Sequence, residues 1–248
     1  MRGGRVRLRG RGLKLSIVVP AFNEERLIAE TLQRLRAAME VFRQRGWSGE
    51  LIVCDNNSTD RTAELAHAAD ATVVFEPVNQ IARARNAGAR AASGEWLLFV
   101  DADSSPSKAL FQDVLAAIES GRYVGGGCTV AIPGPSPAVR AWLGIWNALS
   151  RTAQWAAGAF LFCEAAAFRA AGGFSEELFA SEEIDLSRRL KRRGRFIILH
   201  RHPLVTSGRK LQLYSTREHL AFIWKMLTAG RRTLRSREAC SIWYDGRR

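Results

Sequence analysis

Two aspartates separated by one residue are the feature of this chain best suited to chemistry. Asp101 and Asp103 follow directly on the strand-like run Glu95–Val100. In an extended segment two such side chains point to the same side, so both carboxylates could hold one hard divalent cation, directly or through water. Alone, the pattern is weak evidence, because a strand that leaves the core for an acidic surface turn gives the same residues.

The elements around these aspartates supply two more polar loops. Residues 20–25 follow an apolar strand at Leu15–Val19, and residues 55–60 follow another at Glu50–Cys54. Apolar periodicity predicts helices over about Glu24–Arg45, Asp60–Ala69 and Gln80–Ala92, with a further strand at Ala71–Glu76. Alternating strands and helices indicate a parallel sheet with right-handed crossovers. Ligands bind beyond the carboxyl ends of such strands, so all three loops should line one crevice.

Length and composition favour one large α/β domain. The chain has 248 residues, of which 47% are hydrophobic, enough for a substantial core. Its four cysteines are scattered without a Cys-x-x-Cys spacing, which argues against a zinc knuckle or a disulfide framework and fits a reducing, cytoplasmic compartment. Residues 1–13 contain no apolar segment typical of a signal peptide, and we expect a disordered basic tail there.

The net charge of +13 is unevenly spread along the chain. Residues 1–12 carry five arginines, and Arg188–Arg195 carries six basic residues. Such runs are often only a solvated surface; otherwise they fit anionic lipid, nucleotide phosphates or nucleic acid. We expect no nucleic-acid partner, because the basic residues do not alternate with aromatic ones and no zinc-finger, RNA-recognition or basic-zipper signature is present.

Six motifs follow one another along the chain: Pro-Ala-Phe-Asn-Glu-Glu at 20–25, Asp-Asn-Asn-Ser-Thr-Asp at 55–60, Ala-Arg-Asn-Ala-Gly at 84–88, Asp-Ala-Asp at 101–103, Gly-Gly-Phe at 172–174 and Glu-Glu-Ile-Asp-Leu at 182–186. In this order they resemble the motifs of family 2 glycosyltransferases, and the match runs from about Lys14 to about Arg209. The resemblance implies an α/β GT-A fold, Rossmann-like, with a mostly parallel central sheet flanked by helices in a single domain. It divides the chain into a nucleotide-sugar-binding half at 14–104 and an acceptor-binding and catalytic half at 105–210, before a basic amphipathic segment at 211–248.

The resemblance implies a nucleotide-diphosphate sugar as donor and a divalent metal, Mg²⁺ or Mn²⁺, as cofactor. Asp103 would be the metal ligand, with Asp101 beside it at the ribose or a metal-bound water. The cation would neutralise the charge that grows on the leaving diphosphate. The residues implied to contact the donor are Pro20, Ala21, Phe22, Glu24, Asp55, Arg85, Asn86, Asp101, Ala102, Ser207 and Arg209.

Alternatives stay open for several of these donor contacts. Asp55 could instead form an Asx-turn or cap the helix that follows. Arg83 and Arg85 lie two positions apart on one predicted helix and do not share a face, and the resemblance favours Arg85 as the contact to the diphosphate. The sequence departs from the usual family pattern at Asn56 and Asn57, where aspartate and glycine are more common.

A candidate catalytic base lies on a helix that should begin after Ser181 and run to about Arg193. Glu183 shares a stripe with two leucines that the helix should bury, at Leu186 and Leu190. Glu182-Glu183 occupies the family's Glu-Asp position, whose second residue is the base in inverting enzymes, so the resemblance implies Glu183. Asp185 is the nearest competitor, and an acidic pair that only stabilises the helix N-terminus is the other interpretation.

Two apolar stripes leave a membrane or lipid contact open. Over about 138–153, four residues at helical spacing form a stripe for which core packing is the default explanation, with a membrane or a lipid acceptor as the alternative. The C-terminal segment repeats the pattern ahead of four arginines, which predicts either peripheral membrane attachment or a docked terminal helix. The two stripes are Trp142, Ile145, Trp146 and Leu149, and Leu220, Ile223, Trp224 and Leu227.

The sequence therefore predicts a metal-assisted, inverting glycosyltransferase whose acceptor hydroxyl is on an unknown molecule, lipid-linked or soluble. A sugar-phosphate nucleotidylyltransferase of similar fold is one alternative, although such enzymes place a glycine-rich, basic signature after the first strand. A non-catalytic membrane or polyanion adaptor with the same fold is another. We assign no metal-binding role to His200 and His202, which follow a predicted strand at Arg195–Leu199.

Overall fold

The computed structural model describes residues 12–207, 231–240 and 244. Its strands are β1 (Lys14–Ala21), β2 (Ser48–Asp55), β3 (Thr72–Phe75), β4 (Trp96–Val100), β5 (Ser104–Ser105), β6 (Gly125–Ala131), β7 (Phe160–Glu164) and β8 (Phe196–Thr206). Its helices are α1 (Ile28–Arg43), α2 (Thr62–Ala68), α3 (Ile81–Ala91), α4 (Lys108–Glu119), α5 (Pro137–Ala153), α6 (Ala165–Ala170), α7 (Glu182–Lys191) and α8 (Arg231–Leu234).

All eight described strands form one sheet in the order β3-β2-β1-β4-β7-β6-β8-β5. The four on one side, β3, β2, β1 and β4, pair in parallel. Strand β7 runs antiparallel between β4 and β6, β6 and β8 are parallel, and β5 closes the edge against β8. The predicted mostly parallel sheet flanked by helices is confirmed.

Alternation along the central strands divides the core into two layers. Ile17 and Val19 face the layer that contains α1 and α4, whereas Val18 faces the layer that contains α3, α6 and α7. Helices cover both faces, so these strands are continuous apolar runs rather than alternating ones. Phe99 of β4 stacks within 5.2 Å of Phe168 and 4.9 Å of Phe174, measured between ring centroids. Truncating such a ring to alanine would cost about 3–5 kcal/mol.

A glycine lets α3 approach β1 closely enough to deliver its polar side chains to the sheet edge. A Cβ on Gly88 would lie 2.4 Å from Val18 Cγ1, a distance that real side chains do not adopt. Close packing at this point fixes the height of α3 over the sheet. It follows that Arg85, one turn earlier, is set at the carboxyl end of β4 rather than over its middle.

Several predictions about individual elements need correction. Strand β8 extends to Thr206, so His200 and His202 lie within it rather than after it, and His202 Nδ1 is 2.9 Å from Asp113 Oδ2. The predicted stripe on α5 is not in the core: Trp142 is 53% exposed and Ile145 is 63% exposed. Sequence reasoning did not predict β7. The C-terminal apolar stripe at 220–227 lies outside the described residues.

Across the described parts of the chain, no helix combines the length and the apolar character needed to cross a bilayer.

Candidate active site

Two loops at the carboxyl ends of β1 and β2 are tied together by hydrogen bonds. Asn23 Oδ1 accepts from the Thr59 backbone N–H at 2.8 Å, and the Asn23 N–H donates to Ser58 Oγ at 2.9 Å. The Glu24 N–H donates to Thr62 Oγ1 at 2.7 Å. Each bond satisfies a backbone donor that turning away from the sheet would leave without a partner. One wall of the crevice is thus built before any ligand arrives.

Asp55 and the two asparagines after it form the part of this wall that follows β2. Asp55 is buried, and its Oδ1 accepts from the Ser58 N–H at 3.0 Å, which is the Asx-turn left open above. Asn56 Oδ1 accepts from the Gln80 N–H at 2.8 Å, which positions the start of α3. Asn57 has φ +66°, a left-handed conformation that glycine adopts freely and asparagine tolerates. The departure from glycine is therefore structurally accommodated.

Arg85 lies at the centre of the site, with its side chain only 3% exposed. Its Nη1 donates to Glu182 Oε1 at 2.7 Å, and its Nη2 donates to Asp101 Oδ1 at 2.8 Å and to the Gly158 carbonyl at 2.7 Å. The guanidinium carbon also sits 5.3 Å from the centre of the Phe174 ring. This corrects the expectation that Arg85 reaches the diphosphate, because its terminal nitrogens are already bound by the protein.

Asn86 holds the Gly-Gly-Phe turn beside this network. Its Oδ1 accepts from the Phe174 N–H and its Nδ2 donates to the Phe174 carbonyl, both at 2.9 Å. Gly173 has φ +68°, and a Cβ there would lie 2.7 Å from Asn86 Oδ1. Asn86 therefore fixes the turn that places the Phe174 ring against Arg85, and its side chain is engaged away from the predicted donor contact.

Glu183 is the carboxylate that the network leaves available on α7. Glu182 is buried and paired with Arg85, whereas Glu183 is partly exposed beside Gly158, where an added Cβ would lie 3.3 Å from Glu183 Oε1. Although part of the residue is exposed, the protein around its carboxyl group removes solvent, and this desolvation, followed by the charge of Glu182, raises the pKa of Glu183 to about 8. The competitor Asp185 is paired with Arg189 at 2.7 Å on the same helix.

The residue before α7 has an unusual backbone conformation. Ser181 occupies the predicted N-cap position but has φ +62° and makes no side-chain cap bond. Left-handed backbone at a residue other than glycine costs about 1–3 kcal/mol and persists only where its surroundings enforce it. That conformation aims the first turn of α7, with both glutamates, at the crevice.

Asp101 and Asp103 take different partners, because residues 102–103 form a turn rather than an extended segment. The Ser104 N–H donates to the Asp101 carbonyl at 3.1 Å across this turn. Asp101 binds Arg85, whereas Asp103 Oδ2 accepts from Ser207 Oγ at 2.7 Å and borders a cavity of about 210 Å³. The extended geometry on which the sequence argument relied is therefore absent at residues 102–103, and the two carboxylates have separate protein partners.

The oxygen donors at Asp103 fit a hard divalent cation. The Asp103 carboxylate and the Ser207 hydroxyl border this cavity, and Mg²⁺ typically takes one or two carboxylates together with substrate phosphates and water. Asp101 uses Oδ1 for Arg85, so Oδ2 is the oxygen that would face a cation, directly or through a bridging water. Within the described ranges, no cluster of three or more His, Cys, Asp or Glu side chains suits a metal.

The remaining predicted donor contacts have mixed positions. Ala21 and Glu24 are buried at the end of β1, with Pro20 and Phe22 partly exposed beside them. Ala102 is buried, and its carbonyl accepts from Thr31 Oγ1 at 2.6 Å, which anchors the turn to α1. Arg209 lies outside the described residues.

A contact that sequence reasoning missed braces the loop before α7. The Phe179 N–H donates to the Leu234 carbonyl at 2.7 Å, and the Tyr244 ring packs edge-on against Phe179 at 5.6 Å. Arg235 Nη2 lies 2.6 Å from Glu177 Oε2. The described C-terminal residues at 234, 235 and 244 thus pack on the loop before α7. No local pattern signals these contacts, since they join residues more than 50 positions apart.

The family follows from the sequence comparison. The profile of Glycosyl transferase family 2 matches residues 16–172, more than half of the chain. The chain belongs to this family. Similar proteins include an uncharacterized glycosyltransferase of Haemophilus influenzae, 34% identical over 107 residues, which are 42% of this chain and 34% of that protein. Poly(ribitol-phosphate) beta-N-acetylglucosaminyltransferase TarS of Staphylococcus aureus is 31% identical over 43% of this chain and 19% of its own length. The matches to these curated relatives span about a third of their length or less.

Solved structures agree with the fold of this member of Glycosyl transferase family 2. TarS residues 1–349 in complex with UDP-GlcNAc superpose with a TM-score of 0.63 at 19% identity, covering 88% of this chain and 66% of that one. Mannosyltransferase PcManGT from Pyrobaculum calidifontis, in complex with GDP-Man and Mn²⁺, superposes with a TM-score of 0.67 at 18% identity, covering 94% and 74%. The predicted GT-A fold is confirmed, and membership of the family favours glycosyl transfer over both alternatives considered above.

Proposed function

We propose that this glycosyltransferase moves one sugar from a nucleotide diphosphate to an acceptor hydroxyl, with inversion at the anomeric carbon and with assistance from a divalent metal. The observation that carries the proposal is that two adjacent glutamates have different surroundings. Arg85 binds Glu182, and Glu183 is left at the crevice as a carboxyl group of raised pKa. A group whose pKa lies near the working pH is the best proton acceptor.

In this reaction Glu183 takes the proton of the acceptor hydroxyl as the acceptor oxygen bonds to the anomeric carbon. The bond from that carbon to the diphosphate oxygen breaks in the same displacement, and its electron pair leaves with the diphosphate. One base and one displacement place the acceptor on the face opposite the leaving group, which is why the configuration inverts.

Asp103 and Ser207 would hold Mg²⁺ or Mn²⁺, which when bound supplies neutralisation of the leaving diphosphate. The presence of Mn²⁺ with GDP-Man in the mannosyltransferase structure supports this part of the proposal, as does Mg²⁺ with UDP in glucosyl-3-phosphoglycerate synthase of Mycobacterium tuberculosis. Arg85 has a positioning role here: it orients Asp101 on one side and Glu182 on the other.

The nucleoside end of the donor would lie against the two hydrogen-bonded loops that follow β1 and β2. Asp55 Oδ1 is used by the Asx-turn, so Oδ2 is the oxygen that would accept from a base N–H. A buried carboxylate in that role rejects bases that lack the donor. Pro20, Ala21, Phe22 and Glu24 would line the same pocket, with Ala102 and Ser207 towards the diphosphate.

For the acceptor we propose a lipid-linked molecule at the cytoplasmic face of a membrane, with a soluble acceptor as the alternative. One relative, 28% identical over 46% of this chain, is named Dolichol-phosphate mannosyltransferase, and its own length is covered to 35%. The exposed apolar stripe of α5 agrees with a lipid nearby.

The test is hydrolysis and transfer with purified full-length protein and a panel of UDP-sugars and GDP-sugars, with Mn²⁺ or with a chelator. We expect at least one donor to be consumed only with metal, and the same donor to raise the melting temperature. Failure of every donor to stabilise or react, in a protein that melts cooperatively, would contradict the proposal.

A further inference from the structure

Helix α5 presents an apolar ridge that no described residue covers. Trp142, Ile145 and Leu149 are 53%, 63% and 44% exposed. The helix is held to the protein by its opposite side, where Asn147 Nδ2 donates to the Val130 carbonyl at 2.9 Å and Asn147 Oδ1 accepts from the Val130 N–H at 3.0 Å. Exposed large apolar groups that are contiguous rather than scattered indicate an interaction surface.

Beside this ridge lies a surface pocket of about 900 Å³ with a cationic lining. Four of its lining residues are basic or can become so: Arg151, Lys191, Arg195 and His200. The described lining contains no aspartate or glutamate. None of the four pairs with a carboxylate in the part of the chain that the structure describes.

The charge in the pocket is concentrated rather than neutralised. Lys191 Nζ donates to the Ala153 carbonyl at 2.6 Å, so its ammonium is fixed at the C-terminal end of α5. Burial and then the nearby Arg188 lower the pKa of Lys191. Arg122 and Arg195 both lie over the Tyr123 ring, 5.7 and 5.8 Å from its centre. Such crowding of cations is relieved by an anion.

The ridge and the pocket are continuous. Ile145, Ala148, Leu149 and Thr152 follow one another at i, i+3, i+4 and i+7 on α5, which places them on one face. Ala148 and Thr152 also line the pocket. An apolar surface thus runs directly into a cationic one, the arrangement that suits an amphiphile with an anionic head.

We propose that α5 and this pocket form a binding site for anionic membrane lipid, with a phosphate headgroup in the pocket and the ridge among the acyl chains. Tryptophan and aliphatic side chains flanked by arginine are suited to the bilayer interface, and each basic residue near an anionic leaflet contributes about 1 kcal/mol. A polyanion without apolar parts would leave the ridge in water, which argues against nucleic acid as the occupant.

This inference extends the proposed function, because it places a membrane beside the catalytic helix. Glu183 and Lys191 are eight residues apart on α7, which is about 12 Å along the helix axis. A lipid phosphate in the pocket would therefore bring a lipid-linked acceptor to the side of the crevice that contains Glu183. Lipid binding itself requires neither donor nor metal.

Sedimentation of the full chain with vesicles tests the site. One set contains phosphatidylcholine alone and the other contains phosphatidylglycerol as well, each at low and high salt. We expect salt-sensitive binding to the anionic set. The pocket variant Arg151→Gln with Arg195→Gln should weaken it roughly 30-fold, from about 1 kcal/mol for each cation. The ridge variant Trp142→Ser with Ile145→Ser should weaken it at both salt concentrations.

Matched controls remove the same groups elsewhere. Arg43→Gln with Arg169→Gln deletes two exposed cations outside the pocket, and Phe75→Ser deletes an apolar side chain that is 61% exposed on β3. We expect both controls to bind like the wild type. All four variants change exposed side chains, and a melting curve confirms that each is folded.

Four outcomes would overturn the inference. The first two are equal, negligible binding to both vesicle sets and a loss of binding that the control variants share. The third is saturable binding of inorganic phosphate without vesicle binding, and the fourth is a lower oligomeric state of the ridge variant in light scattering, which would mean that a second copy covers α5. Metal-dependent hydrolysis of donor by the same variants should be unchanged. If the wild type binds vesicles but hydrolyses no donor, the reaction proposed above fails while the lipid site stands.

Discussion

Arg85 and Glu182 form a buried ion pair, with 2.7 Å between Nη1 and Oε1 and with neither side chain more than 5% exposed. The two residues are 97 positions apart, on α3 and α7. Their contact joins the proposed nucleotide-sugar-binding half of the sheet to the helix that carries the proposed base. Removing one partner from a buried pair is strongly unfavourable, because the other is left charged in a poorly solvated place.

We therefore expect Arg85→Met to reduce the free energy of unfolding by about 3–5 kcal/mol, since it leaves Glu182 buried without its cation. Urea denaturation would measure the loss. Arg83→Met is the matched control: its side chain is 37% exposed and pairs with Glu76 and Glu176, so a change of about 1 kcal/mol or less is expected. Equal losses in the two variants would argue against a central role for Arg85.

Replacing Glu183 with glutamine should lower transfer by about two to four orders of magnitude, the range for loss of a general base. Donor affinity should persist, because the amide keeps the shape of the side chain. Asp185→Asn is the control, and it should retain transfer within a few-fold because Asp185 is occupied by Arg189. The reverse pattern in steady-state rates would move the base to Asp185.

The raised pKa of Glu183 predicts a dependence on pH. The carboxyl group accepts a proton only when ionised, so transfer should rise with pH through about 8 and then level off. The Glu183→Gln variant should lack this rise in its residual rate. A wild-type transfer rate that is already independent of pH from pH 6 upward would show that Glu183 ionises well below pH 8.

The same shift affects stability, with a definite sign. The folded pKa of Glu183 lies above its ordinary value of 4.5, so its favourable contribution is complete below 4.5 and is lost as pH rises through about 8. Glu183→Gln removes this term. The stability of the wild type relative to the variant should therefore fall between those pH values, as measured by urea denaturation at each pH. A difference that does not vary with pH would contradict the assignment.

Asp103→Asn should abolish the metal dependence of donor binding, because it removes a charge at nearly constant shape. Thermal shift with a nucleotide diphosphate, with and without Mn²⁺, would measure this. Asp70→Asn is the control: Asp70 is exposed with φ +53°, a conformation that asparagine also tolerates. Donor binding by Asp103→Asn with undiminished response to Mn²⁺ would place the cation elsewhere.

Tyr244→Ala should loosen the loop before α7 and lower the turnover number more than it raises KM, because Phe179 loses its edge-on partner. Tyr244→Phe should restore most of the rate, since the hydroxyl contact to the Ile81 N–H is long, at 3.4 Å. Cleavage by a protease between Gly173 and Ser181 should become faster in the alanine variant only. If both variants behave alike, the ring does not brace the loop.

The elements that the sequence predicts well are those determined by local pattern. Apolar runs such as Trp96–Val100 are buried on both faces, and such runs specify a strand wherever helices can cover them. The Asx-turn at Asp55 was foreseeable for the same reason, since its acceptor and donor are three residues apart. Local chemistry fixes both.

The rest of the site depends on distant contacts. The partner of Arg85 could not be identified from the sequence because α3 and α7 meet only in the folded sheet. On α5, periodicity shows that Trp142 and Ile145 share a face, but it contains no information on whether protein covers that face, and here none of the described residues does. The turn at Asp101–Asp103 is anchored by the hydrogen bond from Thr31 Oγ1 to the Ala102 carbonyl. No local pattern predicts this bond, because the two residues are far apart in the sequence.

The hydrogen bonds between Asn23 and residues 58–59 have a consequence for engineering donor preference. The loops after β1 and β2 act as one unit, because a side chain of each loop accepts a hydrogen bond from a backbone N–H of the other. Grafting one loop from a relative that uses another nucleotide would separate Asn23 from Ser58 and Thr59. The polar groups of all three residues would then lose these hydrogen-bond partners. A transplant should therefore move both segments at once, together with Thr62, whose hydroxyl secures the Glu24 amide.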